Sequence, residues 1–569
     1  MTKILLIVLI GLLAFTLRVW NVDKNPAGLY YDEIDAGYQA RSILETGKDY
    51  RGSMSPFFVN SFLDPRPPIP VYLTVFSTAL FNSPELQVRM GSVIVGSINV
   101  LLVFILLWIW TKNYLLSLIG MIVTATNPWW IQFSRYNHEA NTTVFFPLVG
   151  IICFLIGLQL KKFRYIWISV VFIALGIYTY RTMSLLAPFL IGCLIFGYFN
   201  FFKQLSWKQK LLLFITFLSI TLSLILSTTI FAKDKPRIAQ IAIFVDQSIP
   251  ILIQRERELD SGDILNPEVG KSATFFSKIF HNKLDSFFST FVKNYYSAFS
   301  TDFLFVHGDK NHRHSIEGQG MLLYTDIILL GFGIYYLFKN RHQNFSKFIL
   351  AIFFLTPIPS ALTQDGNSHA SRMFLYSLPL LLIISYGWYF FYQSVNKLKI
   401  GNLLIPILLS FYLVLFVFYL HEYHTHFAID SGRWHSSPYK QAMQEIMRRQ
   451  GTYDHIVMVP HPDPPNLYLL FWGNIPPSQV QAFGSNFNEP KNDGSFLDRF
   501  KIADLPKTTS ELIKVLQPKT LYLVTQEELR EDLREGKKPP AGIDLLDIIT
   551  YPDKEVAFYL IQKSDTVSL

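Results

Sequence analysis

Long apolar runs separated by short basic clusters set the pattern of the chain. Eleven runs read as membrane spans, at about 4–20, 88–110, 114–133, 142–160, 165–180, 184–202, 211–232, 321–338, 346–361, 373–394 and 401–420. A spanning helix needs about 20 mostly apolar residues, because lipid offers the backbone no hydrogen bonds and a helix makes its own. Arg18-Val19-Trp20 closes the first run as an interfacial anchor, and no small-residue cleavage site follows it. That run therefore reads as a span and not as a signal peptide. A further run, 69–81, has 13 residues and is crowded at its start by Pro65, Pro67, Pro68 and Pro70. It is short for a crossing and reads as an interfacial or re-entrant helix.

Basic residues predict the orientation. With the N-terminus inside and 69–81 not crossing, Lys112, Lys161-Lys162-Phe163-Arg164, Lys203 to Lys210, Lys339 to Lys347 and Lys397-Leu398-Lys399 all face the cytoplasm. If 69–81 crossed, every later loop would flip and the rule would fail. Loops 21–87 and 233–320 and the segment beyond 420 then share the outer face. In that last segment the pattern changes. Strand-like runs at Ile456 to Val459, Thr520 to Val524 and Val556 to Ile561 alternate with helical stretches such as Tyr439 to Arg449. This predicts a small α/β domain. The expected fold class is a polytopic α-helical membrane protein of about 11 transmembrane helices over 1–420, followed by a soluble extracytoplasmic α/β domain over 421–569. The expected location is the cell membrane, with the chemistry outside.

Composition excludes the soluble alternatives. Of 569 residues, 50% are hydrophobic and 16% charged, against about 25% charged in soluble domains. The mean hydropathy is +0.28. One or two soluble cores could not bury so much apolar surface. The net charge of +8 is scattered between apolar runs, which fits membrane topology and not a nucleic-acid partner. Cys153 and Cys193 both lie inside apolar runs, so no disulfide framework is implied.

Candidate chemistry collects in the outer segments. Asp32 and Glu33 follow the first span within Tyr30 to Tyr38. Such carboxylates serve as a general base or ligate a divalent cation, or simply offset a helix dipole. Arg135, His138 and Glu139 sit where a turn leaves the bilayer, with Arg135 and Glu139 at ion-pair spacing. Tyr180-Arg181 ends the fifth span, suited to phosphate recognition or to snorkelling. His307-Gly308-Asp309-Lys310-Asn311-His312-Arg313-His314 invites a zinc reading, but its spacing is no strong metal signature and fits an ordinary polar loop. His369 and Arg372 stand three apart near the mouth of the tenth span, facing an anion or only solvent. Asp64 to Pro68, with Arg66, precedes the re-entrant helix. One topology puts all of these at one face, which suits an anionic lipid-linked substrate. A transporter would instead place ionisable groups mid-span and often show inverted repeats, and no repeat is present.

These motifs resemble the integral-membrane glycosyltransferases that use polyprenyl-phosphate sugars, the GT-C fold of protein O-mannosyltransferases, the lipid A aminoarabinose transferase and the oligosaccharyltransferase catalytic subunit. The resemblance rests on Asp32-Glu33, Arg41 and Gly47-Lys48-Asp49-Tyr50. It continues through Pro67-Pro68, Glu85 to Arg89, Asn127-Pro128-Trp129 to Arg135, Glu139, Tyr180-Arg181 with Pro188, and Ala361-Leu362-Thr363 to Arg372. It covers roughly 1–420. It implies that a sugar passes from a polyprenyl-phosphate donor to an acceptor hydroxyl on a glycan, lipid or protein, by inverting substitution. It implies Asp32 as base, supported by Glu33, with Glu139 as the second acidic residue. Arg181, His369 and Arg372 would bind the donor phosphate. Arg135, His138, Tyr180 and Arg66 would face the acceptor or support these groups. Several relatives bind a divalent cation and others do not need one; the expected ion is Mg or Mn, at Asp32 and Glu139. The chain lacks the Trp-Trp-Asp signature of oligosaccharyltransferases and visible β-trefoil repeats, which counts against en bloc oligosaccharide transfer and against a protein acceptor.

Overall fold

The computed structural model describes residues 2–54, 58–61, 65–231, 241–260, 275–398, 400–461, 463–483, 496–529 and 539–564. Asp64 lies outside the described residues. A helix forms in each of the eleven apolar runs. Seven are long and apolar enough to cross a membrane, and an eighth is the pair Tyr114–Thr126 and Pro128–Arg135, bent by 55°. The chain is a multi-pass membrane protein.

The count of eleven is not confirmed, because several runs give short helices. Phe163–Tyr178 and Met183–Gly197 fall below spanning length. Asp326–Lys339 has 14 residues, a rise of about 21 Å against about 30 Å of hydrocarbon. The bend in the 114–133 run has a local cause. Asn127 Oδ1 accepts the Trp130 amide at 3.1 Å, and Pro128 opens the second piece. An Asn cap followed by Pro starts a new helix. The segment at 69–81 is a 13-residue helix, Pro68–Leu80, entered through Pro67.

By contact the chain divides into two compact units. The first comprises 1–15, 95–133 and 139–419. Its helices approach closely where side chains are absent: a Cβ on Gly387, in Ser377–Val395, would lie 1.9 Å from the Leu329 carbonyl oxygen of Asp326–Lys339. Small residues at such crossings let the backbones meet without a driving force from water. Trp130 Nε1 donates to Ser377 Oγ at 2.6 Å, and Phe133 stacks on Phe374 at 4.8 Å.

The second unit comprises 16–94, 134–138 and 420–569. Its described strands are β1 His455–Met458, β2 Phe500–Ile502, β3 Thr520–Thr525, β4 Ile543–Thr550 and β5 Val556–Lys563. They form one sheet in the order β2-β1-β3-β5-β4. β1 runs parallel to β2 and β3, while β5 is antiparallel to β3 and β4. The three strand-like runs are β1, β3 and β5. The first outer loop shares this domain's core: Ile34, Tyr38 and Tyr50 are buried in one cluster with Ile456, Leu469, Leu521 and Leu560. Tyr38 donates its hydroxyl to the Ile475 carbonyl at 2.9 Å.

Candidate active site

In the second unit the site is organised by the helix Tyr31–Thr46, whose first turn carries Asp32 and Glu33. Consecutive helical residues point about 100° apart, and here the two carboxylates meet opposite environments. The Asp32 side chain is 46% exposed and accepts from Arg66 Nη2 at 2.6 Å. Arg66 also pairs through Nε with Asp35, a buried carboxylate that takes the Tyr50 hydroxyl at 2.6 Å. Arg66 itself is held by a backbone bridge to Val59, with N···O distances of 3.0 and 2.7 Å. The guanidinium is thereby fixed from behind, and it fixes Asp32 in turn.

Glu33 is fully buried. Arg89 grips both of its oxygens, at 2.9 and 3.1 Å. The Asn137 amide donates to Glu33 at 3.0 Å, and His435 Nδ1 lies 3.4 Å away. Burial alone would raise its pKa, but Arg89 and His435 outweigh it and hold the carboxyl down at about 2. Tyr30, Tyr136 and His435 wall it with edge-on rings. Protein donors engage both Glu33 oxygens. Arg89 also donates to the carbonyls of Val22 and Pro26, both at 2.8 Å, and to that of Gly28.

Gly28 has φ +82°, and a Cβ there would meet Ser437 Cα at 2.5 Å and His435 O at 2.6 Å. Gly28→Ala is expected to destabilise the second unit by about 1–3 kcal/mol, read as a lower midpoint in thermal unfolding of detergent-solubilised protein.

Arg135 is likewise engaged by protein. Its Nη1 donates to the carbonyls of Leu17 and Arg18, at 3.0 and 3.2 Å. Its Nη2 donates to those of Trp20 and Asn25, at 2.7 and 3.1 Å. The guanidinium lies 5.0 Å from the Tyr423 ring. With these contacts it closes the chain around the end of the first helix. His138 is half-buried beside Tyr136, with ring centroids 5.8 Å apart.

In the first unit, Tyr180 links the remaining candidates. Arg372, Glu139 and Arg181 each act on its phenol. All three therefore lie within electrostatic reach of one phenol. The Tyr180 hydroxyl is 3.4 Å from Ser371 Oγ. Arg372 is buried and pairs through both Nη atoms with Asp365, while Nη1 also donates to Thr363 Oγ1 at 2.6 Å. His369 is largely buried. Its burial, then Arg372 and His314, push its pKa well below the ordinary imidazole value. A neutral ring of this kind offers a hydrogen bond or a ligand atom to an anion site, not a second positive charge. Sequence reasoning gave no role to Arg89, Asp35 or His435. Arg89 carried a visible signal, a lone arginine at the head of an apolar run.

Among the described residues, two clusters of three could hold a metal ion: Asp309, His314 and His369, and the half-exposed His421, Glu422 and His426. Neither contains Asp32 or Glu139. Asp32 already gives an oxygen to Arg66.

Residues 65–231 match the family model described as dolichyl-phosphate-mannose-protein mannosyltransferase. No curated protein matches the chain. ArnT from Cupriavidus metallidurans, solved with undecaprenyl phosphate, aligns with TM-score 0.51 and 11% identity, covering 100% of this chain and 99% of that one. The oligosaccharyltransferase of Archaeoglobus fulgidus in its apo form aligns with TM-score 0.51 and 12% identity, covering 92% of this chain and 70% of that one. The archaeal oligosaccharyltransferase AglB from the same organism, in complex with an inhibitory peptide and a dolichol-phosphate, aligns with TM-score 0.49 and 13% identity. That alignment covers 82% of this chain, which spans 63% of the AglB chain. The chain has the GT-C fold expected from its motifs, with a small C-terminal sheet domain.

Proposed function

We propose that the chain is a membrane glycosyltransferase, moving a hexosyl or pentosyl group from a polyprenyl-phosphate donor to an acceptor hydroxyl at the outer face. The observation that carries this reading is Asp32, an accessible carboxylate locked in place by Arg66 beside a Glu33 that is fully engaged by protein. The GT-C fold and the mannosyltransferase match over 65–231 support the donor class.

Asp32 takes the proton of the acceptor hydroxyl as that oxygen attacks the anomeric carbon. The bond from that carbon to the phosphate oxygen breaks, and its electron pair leaves with the phosphate. Arg181 and Arg372 stabilise the growing phosphate charge, which is the largest contribution such sites make. Tyr180 donates to or orients this group, and His369, beside Arg372, supports it. Glu139 is the second acidic residue of the reaction. The acceptor is a glycan, lipid or protein hydroxyl.

The test is labelled donor with purified protein in proteoliposomes. Glycosyl transfer or donor hydrolysis supports the reading, while solute flux without turnover overturns it. Orientation is tested with single cysteines. Those at 310 or 480 should react with an impermeant reagent in intact cells, and those at 205 or 343 should be shielded; labelling at 343 would contradict an outward site. Arg181 has a sharper test in donor affinity. Arg181→Lys should already weaken binding several-fold and Arg181→Ala more, because an ammonium cannot reproduce a bidentate phosphate contact. A snorkelling arginine would tolerate lysine.

A further inference from the structure

We infer that Asp309, His314 and His369 bind one zinc-class divalent ion. The ion fastens the loop before helix Asp326–Lys339 to the loop before helix Ser377–Val395. The ligand atoms these residues offer all lie within 4.8 Å of one another. Tetrahedral zinc with bonds of about 2.0–2.1 Å holds its ligands about 3.4 Å apart. Asp309 Oδ2 lies 2.9 Å from His314 Nδ1 and 3.9 Å from His369 Nδ1, which brackets that spacing. The remaining pair, His314 and His369, lies within 4.8 Å, so its ligand atoms need to close by at most about 1.4 Å to reach that spacing. The side chains are 7%, 8% and 19% exposed, so the ion would be shielded and still reachable from one side.

The surroundings are those of a built site. The Asn311 amide donates to Asp309 Oδ1 at 2.9 Å and the Ala370 amide to Oδ2 at 2.8 Å, which aims the carboxylate. Ser315 Oγ holds the Asp309 carbonyl at 2.6 Å. The far nitrogen of His369, Nε2, faces Asp365 Oδ2 at 4.0 Å. A carboxylate behind the ring is the usual support of a metal-bound histidine. Arg372 would repel a cation if its charge were uncompensated, but it pairs through both Nη atoms with Asp365. Two imidazoles and one carboxylate select zinc over magnesium, which prefers oxygen. Three protein ligands leave a fourth position for water. Because His369 comes from a different loop than Asp309 and His314, the ion would close a long stretch of chain, and its loss would loosen both loops.

The test uses the purified full-length protein with any affinity tag removed. Metal content is measured by mass spectrometry, and thermal unfolding is followed after chelation and after adding back zinc or magnesium. About one equivalent of zinc per chain is expected, with a lower unfolding midpoint after chelation that zinc restores and magnesium does not. Asp309→Asn and His369→Gln should each lower zinc affinity at least about tenfold, while His426→Gln, in the other cluster, should leave it unchanged. Should either variant fail to fold, the add-back titration on wild-type protein decides alone. Substoichiometric zinc with no stabilisation on add-back would overturn the assignment, as would full zinc retention in folded Asp309→Asn and His369→Gln. None of these readouts depends on sugar transfer.

Discussion

Asp32→Asn should slow the chemical step by about 10²–10⁴-fold while the protein still inserts, folds and binds donor. The amide keeps the shape of the side chain and can still accept from Arg66, so the fixed geometry around Arg66, Asp35 and Tyr50 persists. What is lost is the basic oxygen. The Asp32 side chain is partly exposed, so replacing it strands no fully buried partner. The measurement is single-turnover transfer at saturating donor, with donor affinity determined on the same preparation. Turnover within a few-fold of wild type would remove Asp32 as base. A parallel loss of donor binding would point to misfolding or to a binding role.

The neighbouring residue should behave in the opposite way. Arg89→Ala removes the partner of a fully buried carboxylate, and an uncompensated buried charge costs about 3–5 kcal/mol. The expected result is loss of folded protein, not of catalysis alone, because Arg89 also ties down the carbonyls of Val22, Pro26 and Gly28. Glu33→Gln should be milder but still destabilising, since the amide satisfies only part of the same partners. The pH dependence has a definite sign. The Glu33 carboxyl is held down at about 2 in the fold, against about 4.3 in an unfolded chain. Its contribution is therefore complete above about pH 4.3 and is lost as pH falls from there toward about 2. Thermal midpoints of wild type should drop through that window, and those of Glu33→Gln should drop less. A Glu33→Gln protein as stable as wild type, with the same acid profile, would contradict the buried-anion role.

Much of the fold was legible because hydrophobic run length and strand-like patterning are local signals. The eleven runs, the short helix Pro68–Leu80 and β1, β3 and β5 all follow from them. Two strands escaped: β2 has three residues and too little pattern to read, whereas β4 has eight and was missed despite its length. The span count stays unconfirmed where an apolar run bends or gives helices below spanning length, as at Asn127 and in Met183–Gly197. The composition of the second unit was not legible. The packing of Ile34 and Tyr38 with Leu469 and Leu521 joins segments hundreds of residues apart, and no periodicity encodes such a pairing. For the site, sequence picked out Asp32-Glu33 but could not separate them; their different fates come from which face of one helical turn meets Arg89 and which meets Arg66. The His307 to His314 cluster drew attention for three histidines. His314 lies beside the distant His369, with ring centroids 5.3 Å apart, while His307 pairs with the exposed Asp302 at 2.5 Å.

The anomeric configuration of the product formed in one turnover tests the central claim most directly. Purified protein is mixed with stoichiometric polyprenyl-phosphate sugar of known configuration and an acceptor. The glycoside is then read by nuclear magnetic resonance alongside released polyprenyl phosphate. Direct attack by a hydroxyl deprotonated at Asp32 predicts inversion, one polyprenyl phosphate released per glycoside, and neither product at a comparable rate from Asp32→Asn. Retention of configuration, or full activity of Asp32→Asn, would contradict it.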